Sequence, residues 1–221
     1  MKVRTAYEQE LTNLDEMVSA MGKTVGDALH SAILAWQNGN KEKAKAIMAA
    51  DESVNQTEKQ IEHLCLTLLL RQTPVAGDLR RVSAALKMDT DLERIGDHAQ
   101  DIAELSLAMP LPQNHPEWLA VVQRMADTAQ KMITAAMESF RAQDVAKAQA
   151  VRSWDDTQDA DFVKIKSLLA SHLTTSPTDM DEVLDWLMLA KYLERVADHA
   201  VNLADWAEFS VTGLHKNTRL L

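Results

Sequence analysis

Two eight-residue segments of this 221-residue chain, Leu92-Glu93-Arg94-Ile95-Gly96-Asp97-His98-Ala99 and Leu193-Glu194-Arg195-Val196-Ala197-Asp198-His199-Ala200, are identical at six positions and conservatively related at the other two. They lie 101 residues apart, and Asp78 pairs with Asp179 at the same offset. Earlier in each half the offset is 104: Asp51-Glu52 aligns with Asp155-Asp156, Ile61 with Ile165 and Trp36 with Phe140. A shared order of motifs with one small shift in spacing is the signature of an internal duplication. The three-residue difference falls in the loop before the third helix of each half.

The helices are bounded by few breakers, since the chain has only six Gly and five Pro. Asn38-Gly39-Asn40 ends one periodic segment, and Asn40 is placed to cap the next; Asp144, after Gln143, is placed the same way. Thr73-Pro74 reads as a cap followed by a first-turn proline. In Thr175-Ser176-Pro177-Thr178-Asp179, Ser176 and Asp179 read as a capping box. Six helices are expected at about 5–37, 41–71, 74–108, 116–142, 145–173 and 177–210. No segment alternates as a strand does, so no sheet is expected. The fold class is all-α: two tandem three-helix bundles, residues 1–109 and 110–221, each antiparallel because its loops are short. They are joined at about 109–116 by a linker containing Pro110, Pro112 and Pro116, and are related by a pseudo-twofold or by simple repetition.

With aromatics at 5% and eleven Met, the core must be mostly aliphatic, and the methionines read as core filler. The net charge of −10 repels phosphate backbones, which argues against nucleic-acid binding, and it favours cationic partners or metal ions. Cys65, the only cysteine, sits in an apolar run and reads as a core residue in a reducing compartment. No apolar stretch reaches the length of a membrane span, and the N-terminus lacks an apolar signal region, so the expected location is the cytoplasm.

On a helical wheel, Leu92, Ile95, Ala99 and Ile102 form one core stripe, as do Leu193, Val196, Ala200 and Leu203. Asp89, Glu93, Asp97 and Asp101 form a ladder of acids at i, i+4 spacing on its flank. Like charges at this spacing destabilise a helix by a few tenths of a kcal/mol per pair, so the ladder calls for basic neighbours or a bound cation. Gly96 and Ala197, between stripe and flank, would let a second helix approach and complete a site. Carboxylates alone are hard oxygen ligands suited to Mg²⁺, Ca²⁺, Mn²⁺ or iron. The Glu-x-x-His spacing of di-iron bundles is absent, because Gly96 and Ala197 stand three residues after each Glu. The pair common to both halves is Glu93/Asp97 and Glu194/Asp198; Asp89 is matched by Ala190 and Asp101 by Asn202.

His98 and His199 fall on the other side of the core stripe and read as packing or hydrogen-bonding residues. Arg94 and Arg195 could pair with acids on an adjacent helix. Asp51/Glu52 and Asp155/Asp156 could add ligands from the second helices. No Gly-rich phosphate loop, nucleophile elbow or Ser/His/Asp arrangement is present, so no catalytic residue is expected and the chain reads as a non-enzyme.

At the duplicated octet, and at Asp78-Leu79-Arg80, Asp91 and Tyr192, the chain resembles the PhoU family of phosphate-specific transport accessory proteins. The likeness extends over essentially the whole chain, in length, duplicated layout and acid-rich second helices. It implies a cytoplasmic negative regulator of phosphate uptake and of the phosphate-starvation response. Its implied partners are the ATPase subunit of a phosphate ABC transporter and a sensor histidine kinase, with a homodimer as the expected assembly. It further implies multinuclear clusters of iron, manganese, magnesium or zinc on the repeated Glu/Asp-x-x-x-Asp motif. The ligands carried over are Glu93, Asp97, Glu194 and Asp198, with Asp101 at a third position that Asn202 occupies in the second copy. Competing readings are a metal-dependent enzyme of the carboxylate-bundle type and a metal-free helical interaction module.

Overall fold

Two helix starts, those at Lys41 and Val145, carry side-chain caps. The computed structural model describes residues 2–72, 74 and 76–220. Six long helices result: α1 (Lys2–Asn38), α2 (Lys41–Gln72), α3 (Ala76–Leu105), α4 (Pro116–Ala142), α5 (Val145–Thr175) and α6 (Met180–Thr212), with 3-10 turns at Pro112–Asn114 and Pro177–Asp179. Asn40 Oδ1 accepts the Lys43 amide at 2.9 Å. Asp144 Oδ1 accepts those of Ala146 and Lys147 at 3.0 and 3.2 Å. Both caps follow a left-handed residue, Gly39 (φ 62°) and Gln143 (φ 54°), which ends the preceding helix.

Other boundaries depart from expectation. Thr73 lies outside the described residues, and Pro74 precedes α3, which starts at Ala76 and ends at Leu105. Ser176 makes no side-chain cap, and the carboxylate of Asp179 pairs instead with His172 Nε2 at 2.8 Å. A sheet is present after all, at the smallest scale. Gly213 (φ 76°) closes α6, and β1 (Leu214–His215) pairs antiparallel with β2 (Thr218–Arg219). Lys216 and Asn217 both take positive φ, as a two-residue hairpin turn requires. Two-residue strands are too short to alternate. The hairpin is held by tertiary contacts: His215 stacks on Trp206 at 3.9 Å, and Lys216 Nζ donates to Asn202 Oδ1 at 3.3 Å.

The duplication recurs in the burial pattern. In α2 and α5 the buried positions Ala44, Ile47, Val54, Ile61 and Cys65 correspond, at offset 104, to Ala148, Val151, Gln158, Ile165 and Leu169. In α3 and α6, at offset 101, Val82, Met88, Asp89, Leu92, Ile95, Gly96 and Ala99 correspond to Val183, Leu189, Ala190, Leu193, Val196, Ala197 and Ala200, and all are buried.

The repeats meet through equivalent helices. Along α3 and α6, Arg80 reaches Val211, Asp91 reaches His199 and His98 stacks near Tyr192. As the number rises on one helix it falls on the other, so the two run antiparallel. Helices α1 and α4 do the same, with Gly22 against Met137 and Gln37 against Gln123. Antiparallel pairing of equivalent helices describes a local twofold, not a translation. One hydrophobic cluster spans both repeats. At one end Trp36 of α1 meets Trp186 of α6 edge-on at 5.0 Å, and Trp186 meets Trp118 of α4 at 5.5 Å. Cys65 is buried as expected, but Met180 and Met188 are exposed and are not core filler.

The α4–α5 contact carries a forked ion pair. Arg124 Nε and Nη2 donate to the buried Asp161 carboxylate at 3.2 and 2.6 Å. Arg124→Ala should cost about 1–3 kcal/mol in chemical denaturation, because it strands a buried charge. Lys23→Ala removes only the exposed pair to Asp27 and should cost less than about 0.5 kcal/mol. Equal effects would show that the fork contributes nothing beyond a surface pair.

Candidate functional site

Helices α3 and α6 are the central pair. α3 is packed by α1, α2 and α6, and α6 by α4, α5 and α3. Little of either faces solvent, so their charged residues lie in seams beside neighbouring helices. The octet's two histidines occupy the α3–α6 crossing, with ring centroids 5.8 Å apart. His199 Nδ1 pairs with Asp91 Oδ1 at 2.8 Å, and Asn202 Nδ2 donates to the same oxygen at 3.2 Å. His98 Nδ1 pairs with Asp101 Oδ2 at 3.2 Å, and its ring packs on Tyr192, which stands at the position matching Asp91. Burial disfavours the charged form of His98 and lowers its pKa. Both histidines are packing and hydrogen-bonding residues of the repeat interface.

The acids line two seams. In the first, Glu93 and Asp97 of α3 face Asp51 of α2. Burial, then the neighbouring Asp97, raises the pKa of both Asp51 and Glu93. Gly96 makes this approach possible: a Cβ there would lie 3.2 Å from Val54 Cγ1 and 3.7 Å from Asp51 Oδ1. Asn55, one turn beyond Asp51, donates to Asp51 Oδ2 at 3.2 Å, while its own Oδ1 is shielded and has no partner in the protein. A cavity of about 230 Å³ lined by Asp51, Val54, Gly96 and Gln100 opens beside this seam.

In the second seam, Asp155 of α5 stands among Asp159, Asp198, Asp156 and Glu194. Burial first, then those charges, pushes its pKa up to about 6. Asp198 is raised by burial and by Glu194. Asp155 corresponds to Asp51, and Asp159 to Asn55. The Asp51/Asn55 and Asp155/Asp159 pairs on the second helices were only half read from sequence; carrying the 104-residue offset one turn further identifies Asn55 and Asp159.

Two expectations, on Asp89 and Arg94, are corrected. Asp89 is not on the acidic flank: it is 2% exposed, beneath α2, where burial pushes its carboxyl up to about 7. Its counterpart Ala190 is equally a core position. Arg94 does not reach an adjacent helix. It pairs within α3, with Glu93 at 3.4 Å and Asp97 at 2.8 Å. Asp101 joins His98, although its charge also reaches Asp51. In the second seam Lys191 holds Glu194 at 2.5 Å. No three His, Cys, Asp or Glu side chains among the described residues converge to hold an ion.

The arrangement matches a known family along most of the chain. The PhoU domain matches twice, over residues 18–106 and 122–207. The phosphate-specific transport system accessory protein PhoU homolog of Pseudomonas aeruginosa is 28% identical over 207 residues, 94% of this chain and 86% of that protein. The crystal structure of PhoU from Pseudomonas aeruginosa superposes with a TM-score of 0.88 at 28% identity, covering 94% of this chain and all of that one. That of the phosphate transport system regulatory protein PhoU from Streptococcus pneumoniae gives 0.87 at 25% identity, covering 96% and 100%. No helix among the described residues is long and apolar enough to cross a membrane.

The buried Asp89 sets a pH dependence. Its carboxyl titrates at about 7 in the fold against an ordinary value of 3.8, so the folded state holds the proton more tightly than the unfolded one. Its contribution to stability is fully present below about pH 4 and is lost as pH rises through about 7. Asp89→Asn should match the wild type at pH 4 and exceed it by on the order of a few kcal/mol at pH 8. Urea denaturation at both pH values measures this, and a mutant-to-wild-type difference that does not grow with pH would refute it.

Proposed function

This chain belongs to the PhoU family, and we propose that it is a non-catalytic accessory protein of a phosphate-specific transport system, restraining phosphate uptake and the phosphate-starvation response. Its partners in this reading are the transporter's ATPase subunit and a sensor histidine kinase, and its assembly is a homodimer. The observation that carries the reading is the double match of the PhoU domain, together with similarity to PhoU proteins along nearly their whole length.

Metal binding at the two acidic seams is part of the proposal. The residues that would hold the ion are Asp51, Glu93, Asp97 and Asp101 in the first seam, and Asp155, Asp159, Glu194 and Asp198 in the second. The donor chemistry fits a hard cation: every candidate is an oxygen ligand, and Asn55 Oδ1 offers one more that is shielded and unpaired beside Asp51. The carboxyls raised by burial, and then by one another's charge, supply the electrostatic demand. A bound cation would supply positive charge joining α2 to α3 and α5 to α6. Arg94 and Lys191 are the competing internal cations on Glu93, Asp97 and Glu194, and a metal would have to displace them. Those same three ion pairs favour the rival reading of a metal-free interaction module.

Two experiments separate the readings. Deleting the gene should raise expression of phosphate-starvation genes in phosphate-rich medium, and an unchanged response would overturn the regulatory role. Asp97→Asn with Asp198→Asn should leave the fold intact and weaken Mn²⁺ or Fe²⁺ binding by at least about tenfold in calorimetry, since each ligand set loses a charge. Wild-type affinity in that double mutant removes both residues from the ligand set. A double mutant that binds no metal yet restores full repression in the deletion strain assigns the function to the metal-free module.

A further inference from the structure

Three residues of α6 leave an apolar row open to solvent. Met180, Leu184 and Met188 recur at i, i+4 and i+8 on one helix face and are 47%, 49% and 42% exposed. Such a row is the ridge that seats in the groove of a second helix. The fold does not require it to be apolar. At the 101-residue offset Leu184 and Met188 correspond to Ser83 and Lys87, the same places on the twofold-related helix.

Acids run beside the row. Asp181 and Asp185 each follow one of its residues. Burial, then the charges of Asp181 and Glu182, raises the Asp185 pKa, and no cation offsets them. From α3, Glu104 acts on Tyr192, one turn past Met188. Asp181, Asp185 and Glu104 form no ion pair among the described residues. The helix dipole accounts for an acid at Asp181, in the first turn of α6, but its effect fades before Asp185. The nearby cations gather past the end of the row. Lys191 is held by Glu194 at 2.5 Å and lies over the Phe162 ring, which it shares with Lys166. The exposed Arg195 stands a further turn on.

We propose that the face of α6 from Met180 to Met188 docks an amphipathic helix of a partner protein, one with apolar residues at helical spacing and Lys or Arg along its edge. The unbranched side chains of Met180 and Met188 adapt to the partner's outline. The partner's cations reach Asp181, Asp185 and Glu104 without displacing an internal ion pair. A second copy of this chain fits poorly, because each copy carries a net charge of −10. Three half-exposed side chains also fall well short of the roughly 800 Å² per partner that a stable dimer needs. The surface is separate from the metal ligands proposed above and does not depend on them.

The probe is a fluorescein-labelled peptide of about 18 residues, built of Leu and Lys with the leucines on one helical face. Anisotropy titration of the full chain at about 0.15 M salt should show saturable binding. Two control peptides, one with Glu for every Lys and one of the same composition scrambled to remove the apolar face, should bind at least about tenfold more weakly. Leu184→Ser with Met188→Lys, which installs the residues of the first repeat, should weaken binding at least about tenfold, as should Asp181→Asn with Asp185→Asn. Leu66→Ser, at an exposed leucine of α2, should leave it unchanged. Thermal melts check that each variant stays folded. The proposal is overturned by no saturable binding, by equal binding of the scrambled peptide, or by full affinity in the Leu184→Ser, Met188→Lys variant. It is equally overturned if light scattering shows that this variant turns a wild-type dimer into a monomer, since a second copy then covers the row.

Discussion

Everything in this molecule depends on the antiparallel crossing of α3 and α6. Each is walled in by three other helices, so almost every position along it is either core or seam. Small residues where helices close in, such as Gly96 and Ala197, are a condition of that packing, since even one methyl at Gly96 would press on Val54. Because the two helices meet as equivalents about a local twofold, the same residue types are required on both. This explains the duplicated octet: its Leu, Ile or Val and Ala fill the core, its His holds the crossing, and its acids have only the seam left to them.

Symmetry of backbone does not impose symmetry of chemistry, and the departures are informative. Asp91 anchors His199 across the interface, while Tyr192, at the matching position, packs on His98. Asp159 adds a carboxylate where Asn55 offers an amide. Position 89 buries a carboxyl where position 190 buries a methyl, and that costs stability whenever the carboxyl is charged. Each case is a site where the fold tolerates either residue and the chemistry differs.

The fold was largely legible in the sequence because its signals are local and repeated. Asn40 and Asp144 cap where their spacing said they would, and the matched apolar positions are buried together. What was missed depended on tertiary partners. Asp179 abandoned a capping role for His172, and the C-terminal hairpin exists because His215 finds Trp206. On the wheel Asp89 looked like one more step of an acidic ladder, and only its match to Ala190 hinted at the core. For the site, the Glu93/Asp97 and Glu194/Asp198 pairs and the helix approach at Gly96 could be read from spacing. The hold of Arg94 and Lys191 on those acids could not, because rotamers decide it.

Three of the five tryptophans, Trp36, Trp118 and Trp186, gather at one end of the bundle, one from the first repeat and two from the second. Their indoles touch edge to face across the junction, and Trp36 and Trp186 are almost wholly shielded from water. The chain therefore carries an optical gauge at the place where its halves join. Emission from this cluster reports the docking of the repeats directly, while Trp154, beside Lys131 on the flank of the second repeat, serves as an internal reference for that half alone.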